Sequence, residues 1–402
     1  MKCGNFYRFL YIIFFYLLFH ASLGQQNDYI LKDTNSRFFV IENEINLKGQ
    51  TITLPANMTL YFKGGCLKNG IIVGNNTKIS GKTCQIFDAI EIKGTWIVPA
   101  ITTDMFVDLS AENGLNNVFA LANPSIHNKI EIKEGYYTVN VDTGSNIIVS
   151  SNSVVILDGD IHLIPNAKIG YNIVTIKGSD ISLSGKGTIF GDKFTHKGAD
   201  GQWGMGIMIK DAHNVVISGI RIRECWGDCI YIGYSSTNIT IEKCVLTHGR
   251  RQGISITSAN NVEIKNTRIY DVGGQKPQFA IDIEPNKNDT VDNIVIDNVK
   301  SINCYGGFKI AGREPECHVG YVTIKNCSIN GAKAKYPLEL IKCAKVNIIK
   351  NKFNITDNSL ALYEDINIVY SKKNVFYKDH KSDCVKIINC KHPNINDKQI
   401  TK

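Results

Sequence analysis

The tetrapeptide Gly-Ile-Met-Ile at 206–209 decides the fold, because variants of it return at a nearly constant spacing. The four further copies are Cys-Ile-Tyr-Ile at 229–232, Gly-Ile-Ser-Ile at 253–256, Ala-Ile-Asp-Ile at 280–283 and Gly-Phe-Lys-Ile at 307–310. The third residues of successive copies lie 23, 24, 27 and 27 positions apart. A repeat of this length is typical of a solenoid, in which each repeat buries its apolar face against its neighbours.

Each repeat contains two more apolar segments, for example Asn-Val-Val-Ile at 214–217 and Ile-Arg-Ile at 220–222. Apolar and polar residues alternate within these segments, which indicates β-strands rather than helices. The second segment begins with an asparagine in four repeats, so stacked repeats would align an amide ladder: Asn214, Asn238, Asn261 and Asn293. The pattern predicts an all-β fold, a right-handed parallel β-helix with three sheets. The chain lacks the Leu-x-x-Leu-x-Leu spacing of leucine-rich repeats. Its repeats are also too short for a propeller, whose blades need about 40 residues or more.

The N-terminal residues have the pattern of a signal peptide over 1–24. Lys2 and Arg8 precede an apolar run at 9–19, and small residues follow it. The run is too short to span a bilayer, and no later segment is apolar for long enough. We therefore expect an exported protein, periplasmic, cell-surface or secreted, with a retained N-terminal anchor as the alternative.

Three regions are expected after the signal peptide. Residues 25–110 form short strands, either early coils or a separate β-unit. The β-helix itself is expected over 111–370. Its first segment, Ala111–Asn123, has helical periodicity and would cap the open end of the coils. Residues 371–402 are rich in Lys and Asn and are expected to form a polar C-terminal extension.

Composition narrows the class of partner. The chain has 402 residues, 43% of them hydrophobic, and a formal net charge of +8. A mild positive balance is compatible with an anionic partner. Nucleic acid is not an expected partner, because no basic run with interleaved aromatic residues occurs.

The cysteines divide into two groups. Four lie at strand–turn positions of the repeat, where a thiol acts as a small buried hydrophobic group: Cys225, Cys244, Cys304 and Cys327. Cys384 and Cys390, in the polar C-terminal region, are the better candidates for a disulfide in an exported chain.

Two stretches carry a resemblance to a known superfamily. Residues 130–139, Ile-Glu-Ile-Lys-Glu-Gly-Tyr-Tyr-Thr-Val, resemble the opening strand of the pectate-lyase superfamily. Residues 184–191, Ser-Gly-Lys-Gly-Thr-Ile-Phe-Gly, are similar to the Gly-x-Gly-x-Ile-x-Gly coil of polygalacturonases. With the coil spacing, the resemblance covers about 130–350. It implies a right-handed β-helix and a carbohydrate substrate, but fold alone does not assign an activity.

Polygalacturonases carry Asn-Thr-Asp-Gly, Asp-Asp and Gly-His-Gly before successive strands, and this chain does not preserve that set. One register keeps Asp228 but places Met205 at the first Asp and Gln252 at the His. The other register places Gln252 at the Asp and Phe279-Ala280 at the Asp pair. The catalytic residues of that family are therefore not transferred to this chain.

Candidate site residues come from the third position of each tetrapeptide, which points outward because its neighbours point inward. Neighbouring coils are about 4.8 Å apart, so the outward side chains form a row: Met208, Tyr231, Ser255, Asp282 and Lys309, with Glu339 as a continuation. The adjoining turns and strand ends add polar and aromatic groups to this face: Trp226, Asp228, Arg250, Arg251, Gln252, Glu284 and Arg313. An elongated glycan would bind across such a face.

The favoured function is cleavage or epimerisation of an acidic, uronate-containing polysaccharide by lyase-like chemistry. Removal of a proton beside a carboxylate needs cations that neutralise it and a base. The predicted catalytic residues are Lys309, Arg251, Asp282 and Asp228. The predicted substrate contacts are Arg250, Arg313, Trp226, Tyr231 and Gln252. Asp282 and Glu284 would hold Ca²⁺, the one cofactor that the pattern suggests.

Two alternatives remain open. One is a glycoside hydrolase whose carboxylates lie among Asp228, Asp282 and Glu284, acting on acidic or neutral sugars. The other is a non-catalytic glycan-binding or structural β-helix, in which Asp282 and Lys309 form only a cross-strand ion pair. Likewise, Trp226 and Tyr231 would either stack on sugar rings or cover the coil edge.

Overall fold

The computed structural model describes residues 37–110, 114–354, 360–378 and 384–401. The predicted signal peptide, residues 1–24, lies outside this part of the chain. Within the described residues, no helix has the length and hydropathy needed to cross a membrane.

The chain divides into two compact units. The first comprises residues 1–109 and 117–128, and the second comprises residues 110–116 and 129–402. Each unit is built from parallel strands, so coils extend over a longer stretch of the chain than the five clear repeats indicate.

The first unit contains seven strands, of which the first six pair with one another in parallel. They are β1 (Phe38–Ile41), β2 (Ile45–Asn46), β3 (Thr51–Thr53), β4 (Thr59–Phe62), β5 (Leu67–Gly81), β6 (Phe87–Ile97) and β7 (Ala100–Thr102), followed by a 3-10 helix (Thr103–Met105). Strand β1 pairs with β4, β4 with β5, and β5 with β6. Of the two alternatives for this region, stacked coils are therefore the ones observed, and they form a unit of their own.

Helix α1 runs from Gly114 to Ala120 and is shorter than the predicted Ala111–Asn123. Residues 111–113 lie outside the described part. The C-terminal end tightens into i→i+3 bonds, from the Leu121 amide to the Val118 carbonyl and from Ala122 to Phe119, which ends the α-helical pattern early.

The helix covers one backbone group of the first unit. The side-chain oxygen of Asn117 accepts a hydrogen bond of 3.0 Å from the amide of Ile92 in β6. An edge amide that is bonded in this way is no longer free to pair with another strand. That α1 also caps the β-helix of the second unit stays a prediction.

The second unit contains the remaining strands. They are β8 (Asn128–Ile132), β9 (Tyr136–Val139), β10 (Ile147–Val149), β11 (Ser153–Leu157), β12 (Asp160–Leu163), β13 (Gly170–Ser184), β14 (Thr188–Phe190), β15 (Trp203–Ser218), β16 (Arg221–Arg223), β17 (Asp228–Gly233), β18 (Ser236–Glu242), β19 (Val245–Thr247), β20 (Gln252–Ile256), β21 (Ala259–Lys265), β22 (Arg268–Tyr270), β23 (Phe279–Ile283), β24 (Thr290–Asp297), β25 (Lys300–Ile302), β26 (Gly306–Ala311), β27 (His318–Val319), β28 (Tyr321–Lys325), β29 (Ser328–Asn330), β30 (Leu338–Ile341), β31 (Lys345–Ile349), β32 (Lys352–Asn354), β33 (Ala361–Glu364), β34 (Ile368–Lys378), β35 (Val385–Ile388) and β36 (His392–Thr401).

These strands stack in three parallel ladders, as the sequence predicted. Ladder A joins β10, β13, β15, β17, β20, β23, β26, β30, β33 and β35. Ladder B joins β11, β13, β15, β18, β21, β24, β28, β31, β34 and β36. Ladder C joins β9, β12, β14, β16, β19, β22, β25, β29, β32 and β34. The long strands β13, β15 and β34 bend through a turn and serve two ladders each.

The core lies inside the coils and consists mainly of stacked isoleucines. Ile254 pairs in register with Ile281, and Ile256 with Ile283, and all four are fully buried. Stacking identical branched side chains removes apolar surface from water in every coil. The predicted inward direction of the flanking residues in each tetrapeptide is confirmed.

The predicted asparagine ladder is present along the turn before the second strand of each coil. The amide of Asn238 donates to Asn214 at 3.0 Å, Asn261 donates to Asn238 at 3.0 Å, and Asn293 donates to Asn261. All four residues have φ between 52° and 57°, a left-handed conformation that Asn tolerates better than most residues. The ladder therefore stabilises a backbone turn as well as the stacking.

The coils continue beyond residue 370, so the predicted boundary of a polar extension at 371–402 is wrong for the described residues. Strand β36 pairs with β34 from Ile368 onwards. Polar side chains fill the interior here and disguise the strand pattern. Asn351 donates to Asn374 at 2.9 Å, and Asn374 donates to Asp397 at 2.9 Å. Because Asn351 and Asn374 are fully buried but hydrogen-bonded, the interior tolerates them.

The four cysteines of the repeat are buried, as predicted: Cys225, Cys244, Cys304 and Cys327. The expected disulfide between Cys384 and Cys390 is wrong, since Cys390 has a free thiol that lies 3.6 Å from the Tyr363 carbonyl oxygen. Strand β35 separates the two cysteines, and an extended strand holds its ends farther apart than the roughly 7 Å that a disulfide spans.

Replacement of Asn261 tests the amide ladder. Asn261→Ala removes two side-chain hydrogen bonds and puts in the left-handed region a residue that tolerates it less well than Asn, so we expect a loss of about 2 kcal/mol in unfolding free energy. Asn261→Gly removes the bonds but relieves the backbone strain, so it should lose about 1 kcal/mol less. Urea unfolding of the three proteins measures this order. Equal stability of wild type and Asn261→Ala would contradict a stabilising ladder.

Candidate active site

The outward row of ladder A forms the floor of a groove. Tyr231, Ser255, Asp282 and Lys309 are paired in register across β17, β20, β23 and β26, which confirms the predicted row. Their exposure was not predicted: Ser255, Asp282 and Lys309 are only 3%, 3% and 6% exposed. The groove has a volume of about 210 Å³ and is lined by Arg251, Ser255, Thr257, Asp282, Glu284, Pro285, Asn286, Lys287 and Glu314.

Asp282 is held by its neighbour on the adjacent coil. Its Oδ2 accepts a hydrogen bond of 2.6 Å from Nε2 of Gln252. The Gln252 side-chain oxygen in turn accepts the amide of Phe279 at 2.7 Å, which fixes the orientation of the Gln252 amide group. The other oxygen, Oδ1 of Asp282, is buried without a hydrogen-bond partner in the described part of the chain.

Burial raises the pKa of Asp282 to about 7. The nearby Lys309 ammonium opposes this shift and the Glu284 carboxylate adds to it, but desolvation of the charged form is the largest cause. A carboxyl group that is half protonated near neutral pH, on the floor of a groove, can donate a proton to a bound molecule.

Asp228 is a second buried carboxyl group, fully inaccessible on β17. Its Oδ2 accepts a hydrogen bond of 2.7 Å from Oγ of Ser255 and one of 3.0 Å from Nη1 of Arg251. Burial raises the pKa of Asp228, while Arg251 and Ser255 stabilise its anion and limit the shift. Asp228 and Asp282 therefore reach β20 from the strands on its two sides.

Lys309 forms a close ion pair with Glu284. Its Nζ donates to both carboxylate oxygens, at 2.9 and 2.8 Å, and lies 4.0 Å from Oδ1 of Asp282. A bidentate carboxylate contact stabilises the ammonium form. This geometry does not suit the predicted role of Lys309 as a base, which would require the neutral amine.

Calcium does not fit the two predicted ligands as they are arranged. Ca²⁺ takes six to eight oxygen ligands, whereas both oxygens of Glu284 face the Lys309 ammonium. Across the described residues, no group of three or more His, Cys, Asp or Glu is placed to hold a metal. Ca²⁺ at Asp282 and Glu284 stays a prediction, and we derive no chemical step from it.

Trp226 and Arg250 pack against each other rather than facing the groove. The ring of His196 stacks on Trp226 with centroids 4.0 Å apart, and the Arg250 guanidinium lies 3.6 Å from the Trp226 ring centroid. Asp192 holds His196 through Nδ1 at 2.8 Å, and Arg250 donates to the Gly201 carbonyl at 3.0 Å. These contacts leave Trp226 only 9% exposed, and stacking on a sugar ring stays a prediction for this residue.

The other predicted substrate contacts also have internal partners. The Tyr231 hydroxyl lies 2.7 Å from Oγ1 of Thr257, and Arg313 donates to Glu339. Gln252 is completely buried and acts on Asp282 rather than on a ligand directly. Of the residues selected from sequence, Arg251, Asp282 and Glu284 line the groove, and Asp228, Gln252 and Lys309 contact those three.

The sequence did not predict the role of one residue of the outward row, or the loop residues that complete the groove. Ser255 was in the outward row, but its bond to Asp228 runs diagonally between coils and leaves no sequence signal. The loop residues Pro285, Asn286, Lys287 and Glu314 follow strands β23 and β26. Turns there vary in length, so repeat alignment does not predict which loop residues face the row.

A parallel solenoid with a polar groove on one ladder defines the class of this protein. The sequence matches the family described as right-handed β-helix region over residues 117–310 and 205–367, and the chain belongs to that family. This confirms the right-handed coil and the fold that the resemblance to pectate lyases and polygalacturonases implied.

Two curated relatives come from Bacillus subtilis strain 168. The uncharacterized protein YclG is 27% identical over 280 residues, 58% of this chain and 48% of the relative. The SPbeta prophage-derived uncharacterized protein YorA is 23% identical over 305 residues, 63% of this chain and 52% of the relative. The chain thus spans about half the length of the curated relatives it matches.

Among solved structures, the family 28 exopolygalacturonase of Yersinia enterocolitica is 11% identical, with a TM-score of 0.47. The match covers 76% of this chain and 79% of that chain. A likeness at this level does not assign an activity.

The pKa of Asp282 predicts how stability changes with pH. The folded state keeps the proton from the ordinary carboxyl pKa of 3.8 up to about 7, while the unfolded chain has already lost it. Stability should therefore fall as pH rises through this window, by up to about 4 kcal/mol, and level off above it. Asp282→Asn should remove this slope in urea unfolding at several pH values. Equal pH slopes for both proteins would contradict the raised pKa.

The Asp228–Arg251 pair predicts non-additive effects on stability. Arg251→Ala leaves a buried carboxyl group without its counter-charge and should cost about 3 kcal/mol or more at alkaline pH. Adding Asp228→Asn removes that charge, so the double variant should be more stable than Arg251→Ala alone. A double-mutant cycle measured by urea unfolding tests this, and strictly additive costs would argue against direct coupling.

Proposed function

We propose that this protein is a glycoside hydrolase in which Asp282 protonates the glycosidic oxygen of a bound glycan. The observation that supports this most is a carboxyl group on the groove floor with a pKa of about 7. Buried titratable groups with shifted pKa values in a cleft are typical of catalytic sites.

The hydrogen bonds around Asp282 determine which oxygen carries the proton. Nε2 of Gln252 donates to Oδ2, and a donor prefers the carbonyl oxygen of a neutral carboxyl group. The acidic proton then belongs on Oδ1, which has no hydrogen-bond partner among the described residues and lies 4.0 Å from Nζ of Lys309. Asp282 lines the groove, so in this proposal its proton passes to the leaving group of the sugar.

Asp228 would supply the second carboxyl group that glycoside hydrolysis needs. Arg251 and Ser255 favour its ionised form. In the proposed step, water attacks the anomeric carbon and gives a proton to Oγ of Ser255, which lines the groove and passes its own proton to Asp228. The proton of Asp282 passes to the departing oxygen. The glycosidic bond breaks, a new carbon–oxygen bond forms to water, and one proton is transferred at each carboxyl group.

The lyase-like chemistry favoured by the sequence has less support from the geometry. It requires Lys309 to act as a base, yet Nζ of Lys309 donates to both oxygens of Glu284. A structural or purely binding role also has less support. Two buried carboxyl groups, each with one oxygen lacking a partner, destabilise a fold that has no use for them.

The proposed site of action is outside the cytoplasm. Support comes from the signal-peptide pattern at residues 1–24.

The test of this function uses the full chain and a panel of neutral and acidic polysaccharides. Wild type should release reducing ends without the ultraviolet absorbance of an unsaturated product, at a rate that falls as pH rises through about 7. Asp282→Asn and Asp228→Asn should each lower the rate by about 100-fold or more.

Asp297→Asn is the matched control. Asp297 is also paired with a lysine, Lys325 at 3.2 Å, but it lies on ladder B. Its replacement should leave the rate unchanged. Full activity of Asp282→Asn would overturn the assignment, and an unsaturated product formed with each cut would establish a lyase instead.

A further inference from the structure

We infer that the sugar unit in the groove is uncharged, so that the substrate is a neutral glycan rather than a uronate polymer. The inference rests on the proposed function, because it concerns the same groove. It departs from the acidic substrate expected from sequence, and the reason lies in how the cations of the site are paired.

The two cations nearest Asp282 each have a carboxylate partner. Nη1 of Arg251 lies 3.0 Å from Oδ2 of Asp228. Nζ of Lys309 lies 2.8 Å from Oε2 of Glu284. Neither of these two cations is therefore unpaired and ready to bind the carboxylate of a uronate.

The two exposed charges of the groove lining are opposite in sign, although no ion pair joins them in the described structure. The lining includes one exposed cation and one exposed anion, Lys287 and Glu314. Asp282 adds no charge below its pKa of about 7. The groove therefore offers a bound carboxylate no net attraction.

A uronate bound here would lose stabilisation on two counts. Its carboxylate would leave water without gaining a counter-ion, which is unfavourable in a partly buried site. To gain one it would have to displace Glu284 from Lys309, or Asp228 from Arg251. In the second case Asp228 would remain buried without its partner, which costs several kcal/mol.

Neutral hydroxyl groups match the polar side chains that line the groove. Ser255 and Thr257 carry hydroxyl groups and Asn286 carries an amide, each of which can donate and accept hydrogen bonds. A sugar hydroxyl also donates and accepts, whereas a carboxylate only accepts. This lining therefore favours a polyhydroxyl ligand.

The experiment compares a uronate polymer with its carboxyl-reduced derivative, which has the same linkages and no charge. It is run alongside a panel of neutral polysaccharides. Wild type should cleave neutral polymers at least about tenfold more efficiently, in kcat/KM, than their uronate counterparts. Glu284→Gln releases Lys309 and should shift this ratio towards uronate by about tenfold, the effect of one unpaired charge.

Glu263→Gln is the matched control. Glu263 accepts a 2.6 Å hydrogen bond from Lys265, but it lies on ladder B. This variant should leave both the rate and the ratio unchanged. A ratio in Glu284→Gln equal to that of wild type would contradict the inference that pairing of Lys309 sets the charge preference.

Binding separates this inference from the proposed function. Calorimetry with Asp282→Asn measures the affinity for neutral and uronate oligosaccharides without turnover. Tighter binding of the neutral ligands supports the inference even if no polymer is cleaved. Tighter binding of uronates, or no binding of any oligosaccharide, would overturn it. Cleavage confined to uronates and lost in Asp282→Asn would overturn it while leaving the hydrolase intact.

Discussion

The stacking of inward isoleucines from one coil to the next is the constraint on which the rest of the structure depends. Ile254, Ile256, Ile281 and Ile283 pair in register inside adjacent coils. Because side chains alternate along a strand, a slip of one residue would turn the core outward and the polar row inward. The register that buries isoleucine therefore also sets Asp282 beside Ser255 on one side and Lys309 on the other.

That fixed register holds the charged side chains of the groove where they are poorly solvated. Diagonal contacts between coils, from Ser255 to Asp228 and from Gln252 to Asp282, bring two carboxyl groups towards the central strand. Each carboxyl group is stabilised through one oxygen, and its other oxygen is buried without a hydrogen-bond partner among the described residues. This incomplete satisfaction reduces stability, and it is the kind of local conflict that a functional site explains.

The sequence predicted the features that follow from periodicity. Regular spacing was enough to place the three ladders, the asparagine ladder and the order of the outward row. It did not predict the burial of Asp282, since that depends on loops after β23 and β26 whose lengths differ between coils. It also did not predict that Glu284 faces Lys309. Strand register places the two residues on adjacent coils, but it does not determine the directions in which their side chains turn. The last coils were missed because Asn374 and Asp397 satisfy each other inside the solenoid, where a strand pattern normally shows apolar residues.

The central claim is that Asp282, on the floor of the groove, keeps its proton up to near-neutral pH. An NMR titration of the side-chain carboxyl carbons, with Asp282→Asn used to assign the signal, measures its ionisation directly. The account predicts a transition at a pH of about 7. A transition near the ordinary carboxyl pKa of 3.8 would show that Asp282 is ionised in the groove and would contradict its role as the proton donor.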